Sequence, residues 1–155
     1  MKVLVVTVSD RASRGEYEDR SGPAVENVLR EILPDAEIRR VVVPDERADI
    51  MRAFSDGLWA DCILTTGGTG LSARDITPEV TTEFCDRAVP GIAEYLRARS
   101  LAETPAAMLS RAVAGQKDKT LVINLPGSVK GAEFCARAVA PVLGHAARMM
   151  AGLGH

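Results

Sequence analysis

Val3-Leu4-Val5-Val6-Thr7-Val8 is the stretch of sequence that decides the fold. It is apolar apart from one threonine, and it predicts a β-strand over residues 2–9. A run without alternation between apolar and polar residues is typical of a strand that is buried on both faces. The stretch therefore favours a parallel sheet.

The segments that follow alternate between strands and helices. Further strands are predicted over residues 37–43, at Cys62-Ile63-Leu64-Thr65, and over 109–115 and 120–125 with a polar turn between the last two. This order indicates an α/β layered fold with a mainly parallel sheet, to which the close pair adds an antiparallel element. Helices are predicted from Gly22-Pro23 to Pro34, over 46–58 with Asp45 as the cap, from Thr77-Pro78-Glu79 with Thr77 as the cap, from Pro90-Gly91 to about Ala102, and from about Val129, where Pro141 bends the helix or starts a new one.

Composition indicates a folded protein and argues against several functional classes. The 155 residues are 46% hydrophobic and 26% charged, with a formal net charge of −2. Sequence-independent nucleic-acid binding usually needs a basic protein, and no apolar run approaches the roughly 20 residues of a membrane span. The three cysteines match no zinc or redox motif and suit a reducing compartment. We expect one soluble, cytoplasmic domain over residues 1–155, with no nucleic-acid or membrane partner.

The segment Thr65-Thr66-Gly67-Gly68-Thr69-Gly70 allows the backbone to pass close to a ligand. Glycines permit positive φ angles, and successive N–H groups can form an anion-binding nest. The chain has no P-loop motif, and Arg74 and Asp75 stand where the helix of a dinucleotide fingerprint would already run. A phosphate site and a plain tight turn both remain open for this segment.

Two aspartates follow the ends of predicted strands, where ligands bind in parallel sheets. Asp45 comes after the strand at 37–43, and Asp75 follows the glycine segment. Two carboxylates at one sheet edge suit Mg²⁺, which is commonly held by one or two carboxylates together with phosphates and water. The alternative is that both aspartates only cap helices.

A further polar segment, Asn124-Leu125-Pro126-Gly127-Ser128-Val129-Lys130, leads from a strand into the last helix. The N-terminus of such a helix can hold a phosphate or a carboxylate. The alternative is a turn in which Ser128 caps the helix. His145 and the terminal His155 each stand alone, so a catalytic triad and a histidine metal site have little support.

Six segments, spread over nearly the whole chain, carry a resemblance to a known family. They are Val8-Ser9-Asp10-Arg11-Ala12-Ser13-Arg14-Gly15 with Asp19-Arg20-Ser21-Gly22; Val43-Pro44-Asp45-Glu46; Leu64-Thr65-Thr66-Gly67-Gly68-Thr69-Gly70; Arg74-Asp75-Ile76-Thr77-Pro78-Glu79; Met108-Leu109-Ser110-Arg111; and Ile123-Asn124-Leu125-Pro126-Gly127-Ser128. In this order, the segments resemble the MogA/MoaB family of molybdopterin adenylyltransferases, which act in molybdenum cofactor biosynthesis.

The resemblance implies a three-layer α/β/α sandwich that assembles as a homotrimer. It also implies transfer of AMP from Mg-ATP to the terminal phosphate of molybdopterin, with release of pyrophosphate. The product would pass to a separate molybdate-inserting enzyme. Asp45 and Asp75 would bind magnesium and the ATP phosphates. The other implied residues are Ser9, Asp10, Ser21 and Gly22 on the nucleotide side, Gly67, Gly68, Thr69 and Gly70 at the phosphates, and Ser110, Asn124, Gly127, Ser128 and Lys130 on the molybdopterin face.

Other functions remain open at this point. Residues 110–115 and 126–130 resemble a MoaB-type branch, which would bind or carry molybdopterin without adenylylating it. The first third of the chain and residues 74–78 resemble the active MogA type more closely. A scaffold domain, as in gephyrin, and a generic nucleotide-binding α/β protein are two further alternatives. Formation of an ATP-dependent molybdopterin product distinguishes the transferase from all three.

Overall fold

A computed structural model describes residues 1–153 of the chain and shows one six-stranded sheet between helices. His155 lies outside the described residues. The strands are β1 (Lys2–Val8), β2 (Glu37–Val43), β3 (Cys62–Thr66), β4 (Arg87–Ala88), β5 (Ala114–Lys117) and β6 (Thr120–Leu125). The helices are α1 (Asp10–Ser13), α2 (Ser21–Ile32), α3 (Arg47–Asp56), α4 (Thr77–Phe84), α5 (Pro90–Ser100) and α6 (Val129–Met150), with a 3₁₀ helix at Pro105–Leu109.

The first strand lies inside the sheet, as its continuous apolar run predicts. The strand order is β2-β1-β3-β6-β5-β4, and the first four of these strands are parallel. β5 runs antiparallel to both β6 and β4. Val3, Val5 and Val6 of β1 are completely buried. The mainly parallel sheet with an added antiparallel pair is therefore confirmed.

Helices cover both faces of the sheet, so the predicted three-layer sandwich is confirmed. Val3 and Val5 point to the side covered by α2, α5 and α6. Leu4 and Val6 point to the opposite side, which is covered by α3 and α4. On that second side, the rings of Phe54 and Phe84 pack with their centroids 5.3 Å apart.

The segment before β5 differs from its prediction. A strand over 109–115 is wrong, because residues 105–109 form the 3₁₀ helix and β5 begins at Ala114. Met108 and Leu109 look like strand residues in sequence, but they are 65% and 53% exposed. Thr104 caps the 3₁₀ helix, since its side chain accepts a hydrogen bond from the N–H of Ala106 at 3.3 Å. This local turn chemistry outweighs the apolar pattern.

Helix ends also differ from the sequence pattern in places. α6 continues from Val129 to Met150 through Pro141, so a new helix does not start at that proline. Pro141 is exposed on α6, where the ring points away from the core. The short helix α1 and the two-residue strand β4 had no prediction. Among the described residues, no helix combines the length and the apolar character that crossing a membrane requires.

Candidate active site

Loops that leave β1, β3 and β6 meet at the carboxyl edge of the parallel strands. The N–H of Gly67 donates to the carbonyl of Leu125 at 3.3 Å, which joins the loop after β3 to the end of β6. A Cβ at Gly67 would lie 2.3 Å from the carbonyl oxygen of Val8, and one at Gly127 would lie 3.1 Å from the Cα of Gly67. Three chain segments therefore pass one another at backbone contact distance.

Residues 67–75, here called the glycine loop, pass close to Asp45 and end at Asp75. Gly68 has a φ of +64°, and a Cβ there would lie 2.2 Å from Oγ1 of Thr77 and 3.2 Å from Oδ1 of Asp45. A Cβ at Gly70 would lie 2.9 Å from Oδ2 of Asp75. The glycines thus serve a tight turn and a close approach to the two carboxylates at the same time.

Thr77 fixes the far end of the glycine loop. Its N–H donates to the carbonyl of Gly68 at 3.1 Å, and its hydroxyl donates to the carbonyl of Gly67 at 3.1 Å. The prediction that Thr77 caps α4 is wrong, because the helix begins at Thr77 and the hydroxyl faces the loop instead. The first residue of α4 is therefore part of the site.

Asp45 is held by Asp10 in a reciprocal pair of hydrogen bonds. The N–H of Asp10 donates to Oδ2 of Asp45 at 2.8 Å, and the N–H of Asp45 donates to Oδ1 of Asp10 at 3.0 Å. The prediction that Asp45 caps α3 is wrong, because Glu46 occupies that position and no side chain caps the helix. Oδ1 of Asp45 faces the glycine loop instead.

The two acids of this pair differ in their electrostatics. Partial burial raises the pKa of Asp45, and the negative charges of Asp10 and Asp75 raise it further. Burial acts in the same direction on Asp10, but the N–H of Asp45 and the guanidinium of Arg74 outweigh it and leave the pKa of Asp10 below its ordinary value. Arg74 binds both carboxylate oxygens of Asp10 and also Glu46. Of the two, Asp45 is therefore the carboxylate whose negative charge is less well compensated by its surroundings.

Asp75 is the last residue of the glycine loop. Its Oδ2 accepts a hydrogen bond from the N–H of Ser72 at 2.9 Å. No cluster of three or more His, Cys, Asp or Glu side chains within residues 1–153 is arranged to hold a metal. The charge of Asp75 is close enough to raise the pKa of Asp45, and a pair of carboxylates fits Mg²⁺, which takes further ligands from phosphates and water.

One cavity, here called the nucleotide-side cavity, opens beside α1 and has a volume of about 230 Å³. It is lined by Ser9, Ser21, Gly67 and Ser128 among others. Ser9 caps α1, since its Oγ accepts from the N–H of Ala12 at 3.2 Å. Asp10 and Gly22, which were also predicted on this side, are neighbours of Ser9 and Ser21 in sequence but do not line the cavity.

Asp19 organises the wall of the nucleotide-side cavity. Its carboxylate accepts from the hydroxyl of Thr7 at 2.8 Å and from the N–H of Gly22 at 3.0 Å. The hydroxyl of Ser21 lies 2.8 Å from Oγ1 of Thr66 and 3.3 Å from Oδ1 of Asp19. A Cβ at Gly22 would lie 2.4 Å from Oδ2 of Asp19, so only glycine fits. This network joins the ends of β1 and β3 to the start of α2.

A second cavity of about 330 Å³, here called the apolar-walled cavity, lies across the glycine loop. Apolar side chains including Leu109 and Phe134 line it. Its polar lining consists mainly of Thr69, Gly70, Ser100, Glu103, Thr104, Ser110, Ser128 and Lys130. Lys130 is exposed and pairs with Glu103 at 3.3 Å. Ser128 lines both cavities.

Ser128 also caps α6, as the alternative interpretation of its segment predicts. Its Oγ accepts a hydrogen bond from the N–H of Gly131 at 3.2 Å. The cap leaves the backbone N–H groups at the start of α6 between the two cavities. The cap and a role at the site are thus compatible.

Asn124 lies apart from the other predicted residues. It is 1% exposed, and all of its hydrogen bonds are internal. Its Nδ2 donates to the hydroxyls of Thr65 at 3.1 Å and Thr81 at 2.9 Å, and its Oδ1 accepts from the N–H of Val113 at 3.2 Å. The structure brings it behind the apolar-walled cavity and commits its amide to the fold.

Comparison with known proteins agrees with this geometry. A family model described as a probable molybdopterin binding domain matches residues 4–145. The chain belongs to this family. The molybdopterin adenylyltransferase of Helicobacter pylori J99 is 43% identical over 152 residues, which span 96% of this chain and 86% of that protein. The enzyme of the same name from Escherichia coli K12 is 40% identical over 134 residues, which span 84% and 69%.

A solved structure is similar along nearly its whole length. The molybdopterin biosynthesis enzyme MoaB of Thermus thermophilus is 46% identical, with a TM-score of 0.83 over 97% of this chain and 96% of that one. Relatives of this molybdopterin binding family thus carry both of the names that the sequence motifs suggest.

Three side chains that organise the site in this family member were missed by sequence reasoning. They are Asp19, Arg74 and Arg111, which hold loops in place. Each lies inside a segment that carries the family resemblance, so the motifs held a signal. Asp19 binds Ser21 and Gly22 nearby and also Thr7 of β1. The partners of the two arginines lie far away in sequence: Arg111 contacts residues 69 and 70, and Arg74 contacts Asp10. No local pattern predicts such pairs.

Proposed function

We propose that this chain transfers the adenylyl group of ATP to the terminal phosphate of molybdopterin in molybdenum cofactor biosynthesis. A phosphate oxygen of molybdopterin attacks the α-phosphorus of ATP and forms a new P–O bond. The bond from that phosphorus to the bridging oxygen of the β-phosphate breaks, and pyrophosphate leaves with the electron pair. Phosphoryl chemistry of this kind depends on positioning and charge compensation, so the protein needs no nucleophile.

The observation that carries the proposal is the arrangement of the two cavities. They lie on either side of the glycine loop and share Ser128, with Asp45 and Asp75 beside the loop. Two substrates bound in them would meet at a backbone lined with N–H groups. The curated relatives named molybdopterin adenylyltransferase support the same reaction.

On this proposal, the two cavities take different substrates. ATP occupies the nucleotide-side cavity, where Ser9, Asp10, Ser21 and Gly22 form or support the wall. Gly67, Gly68, Thr69 and Gly70 hold phosphates along the loop. Molybdopterin occupies the apolar-walled cavity, where its phosphate faces Ser110, Ser128 and Lys130 while Asn124 supports the wall from behind. Gly127, which the resemblance also assigns to molybdopterin, lines the nucleotide-side cavity next to Ser128.

Asp45 and Asp75 are the proposed magnesium ligands and catalytic residues. When bound, Mg²⁺ would offset charge on the ATP phosphates and on the departing pyrophosphate. The raised pKa of Asp45 reflects burial and crowding by Asp10 and Asp75, which a divalent cation relieves. The chain itself thus supplies the negative charge that attracts the cation.

The assembly and setting of the enzyme follow the family in this proposal. Residues 1–155 act as one molybdopterin-binding domain, three copies form a homotrimer, and the product passes to a molybdate-inserting enzyme. The three cysteines are unpaired, which suits a reducing cytoplasm.

A second candidate function is binding or carriage of molybdopterin without adenylylation. The 46% identity to the Thermus thermophilus protein named MoaB favours it. Both functions use the apolar-walled cavity, but only the transferase needs the nucleotide-side cavity and the two aspartates together.

The first prediction tests the transferase with Asp75→Asn. Purified protein is incubated with molybdopterin and Mg-ATP, and adenylyl-molybdopterin is measured by chromatography and mass. Loss of one electrostatic contribution to a transition state typically costs about 10²–10³-fold in rate, so we expect a loss of that size. The matched control is Asp56→Asn, the same change at an exposed position at the end of α3, which is expected to keep wild-type turnover.

The outcome for the wild type separates the two candidate functions. Molybdopterin binding without any ATP-dependent product would support the carrier. Wild-type turnover in Asp75→Asn, with an unchanged circular dichroism spectrum, would remove Asp75 from the mechanism while leaving the transferase in place.

A further inference from the structure

The glycine loop has little secondary structure to hold it, although Asp75 depends on its path. Residues 71–74 are exposed and form only bends and turns. Within the loop, the N–H of Asp75 donates to the carbonyl of Ser72 at 3.0 Å, and the N–H of Ser72 donates back to the Asp75 side chain. These local bonds define a turn, but they do not fix the turn relative to the sheet.

Arg74 connects this turn to Asp10 and Glu46 through its own side chain. Arg111 makes a second connection, because it binds the backbone of the loop from outside. It lies in the extended segment just before β5, and its backbone N–H donates to the carbonyl of Thr69 at 2.9 Å. Its Nε donates to the carbonyl of Gly70 at 2.7 Å, and its Nη2 donates to the carbonyl of Asp75. One residue thus binds three carbonyls, at both ends of the exposed part of the loop.

The geometry requires a guanidinium. Its donors point in fixed, coplanar directions, so one group can bind the carbonyls of Gly70 and Asp75 at once. A lysine ammonium is a single point charge on a flexible stem and cannot span both positions with the same orientation. The guanidinium is also half-buried, which limits competition from water.

The fourth contact of Arg111 differs in kind. Its Nη1 pairs with the carboxylate of Glu79 in the first turn of α4, and this pairing holds the pKa of Glu79 below its usual range despite partial burial. Glu79 is largely exposed, and exposed ion pairs contribute little to stability. The pair orients the guanidinium, while the bonds to the carbonyls anchor the loop.

We propose that Arg111 is a positioning residue, which holds the glycine loop so that Asp75 and the loop N–H groups are preset for the phosphates. This proposal rests on the proposed function for its catalytic consequence, but not for the anchoring itself. Arg111 lines neither cavity, and its guanidinium reaches the site only through the backbone carbonyls of Gly70 and Asp75. It acts through the backbone of residues 69–75.

Hydrogen exchange of the loop amides tests the anchoring directly. The variants are Arg111→Ala and Arg111→Lys, with Glu79→Gln as the matched control that removes the ion pair and keeps the guanidinium. The N–H groups of Ser72, Asp75 and Thr77 report on the loop, because each is hydrogen-bonded within it or to it. We expect these amides to exchange at least ten-fold faster in both Arg111 variants, with strands β1 and β3 unchanged and Glu79→Gln like the wild type.

Kinetics provides the second measurement. A misplacement of about 1 Å in a catalytic site can cost on the order of 10²-fold in rate, so we expect kcat to fall about 10–100-fold in Arg111→Ala. The magnesium concentration for half-maximal rate should rise at least five-fold, while the KM for molybdopterin stays within two-fold. A merely structural role of Arg111 would not raise the magnesium requirement while leaving the KM for molybdopterin unchanged.

Each outcome supports or overturns the proposal. Unchanged exchange of the loop amides in Arg111→Ala overturns the anchoring. Faster exchange throughout the sheet overturns a local role, and full retention by Arg111→Lys overturns the need for a guanidinium. If the wild type forms no product, the proposed function fails while the exchange measurement still decides the anchoring. If the loop loosens but the magnesium requirement and kcat are unchanged, the positioning of Asp75 is overturned.

Discussion

Asp45 lies in surroundings that disfavour the negative charge of its carboxylate. Burial and two neighbouring aspartates raise its pKa, whereas Arg74 gives its favourable bonds to Asp10 and Glu46. A group that is stabilised poorly in the free protein has the most to gain from a bound cation. We therefore expect Asp45 to cost stability and to contribute function.

The pH dependence of this cost follows from the direction of the shift. Between the ordinary pKa and the raised pKa, the folded protein binds a proton that the unfolded chain has released. Stability therefore falls as pH rises through this window, and the cost is constant above it. If Asp45 binds the cation as proposed, we expect catalysis to be lost as pH falls through the same raised pKa.

The second prediction is that Asp45→Asn lowers the turnover of the protein without lowering its stability. The asparagine oxygen can still accept from the N–H of Asp10, and the crowded charge is gone. We expect a Tm at pH 7.5 that is unchanged or about 1–4 °C higher, as a gain of up to about 1 kcal/mol would give for a chain of this size. Turnover should fall about 10²–10³-fold.

Thermal unfolding and product formation measured on one preparation check this prediction. A Tm several degrees below that of the wild type would show that the Asp45 carboxylate stabilises the fold. Wild-type turnover would remove Asp45 from the magnesium site. Lowering the pH through the raised pKa of Asp45 should narrow the difference in Tm, since the wild-type carboxylate then takes up a proton.

At this scale, sequence predicted that both aspartates lie at the carboxyl edge of the sheet, because topology alone brings the loops after parallel strands together. In the structure, Asp45 follows the end of β2 directly, and Asp75 comes at the end of the longer loop after β3. The partner of Asp45 could not be predicted in the same way. Asp10 is 35 positions away, and the reciprocal bonds depend on β1 and β2 pairing in one register. The local alternative was that Asp45 caps α3, but its carboxylate accepts from the distant Asp10 instead.

At the scale of the elements, Asn124 of β6 links β3, α4 and the segment before β5, which the sequence predicts only one at a time. It lies in β6, and it binds Thr65 of β3 and Thr81 of α4. It also accepts from the N–H of Val113, just before β5. One buried amide thus holds the parallel strands, the hairpin and a helix at the site edge of the sheet.

The third prediction is that Asn124→Ala mainly destabilises the protein. It leaves the N–H of Val113 and the hydroxyl of Thr65 without their side-chain partner, at about 1–3 kcal/mol for each unsatisfied group. The hydroxyl of Thr81 keeps its hydrogen bond to the carbonyl of Thr77. We expect a loss of about 3 kcal/mol in urea unfolding and a Tm lower by about 6–12 °C. Well below that Tm, the KM for molybdopterin should stay within about two-fold of the wild-type value.

Ser110→Ala is the matched control for this prediction, because it removes a polar group from the cavity lining itself. It should change the KM for molybdopterin and leave the Tm within about 2 °C. If Asn124→Ala keeps its Tm and loses molybdopterin binding, Asn124 contacts the substrate, as the family resemblance implies.

Sequence predicted the elements well where one physical cause dominates. The apolar runs of β1 and β3 leave no alternative to a buried strand, and their predicted bounds differ from the structure by a residue or so. In the segment 105–113 the local preferences conflict, because Thr104 and Pro105 favour a turn while Met108 and Leu109 favour a strand. Exposure of those two side chains, which sequence cannot give, decides the result.

At the scale of the whole molecule, the fold encloses its cysteines. Cys62 and Cys135 are each 2% exposed, and burial raises the pKa of both thiols. Cys85 is half-buried, and burial together with Asp86 raises its pKa to about 11. At pH 8, about one thousandth of Cys85 would be thiolate, which is the reactive form.

The fourth prediction is that the native protein resists thiol reagents. With Ellman's reagent at pH 8, we expect no cysteine to react within the time that a free thiol needs, and all three to react in guanidinium chloride. The absorbance of the released thiolate provides the count. Rapid reaction of one thiol in the native state, identified by mass after digestion, would show that its surroundings open.

The arrangement of the two cavities was beyond prediction from sequence. The motifs named most of the lining residues, but which residues share a cavity depends on the strand order β2-β1-β3-β6-β5-β4. That order places the ends of β3 and β6 side by side although some 60 residues separate them. Ser128 faces both cavities for this reason alone.

The contact between Gly67 and Gly127 has a consequence for how such a protein can diverge. Both glycines line the nucleotide-side cavity, and a Cβ at Gly67 would lie only 2.3 Å from the carbonyl oxygen of Val8. Substitutions elsewhere in the walls can reshape either cavity and so alter which molecule enters it. A side chain at Gly67 would force the loops after β1 and β3 apart, so we expect the spacing of these loops to stay constant while the rest of the walls change.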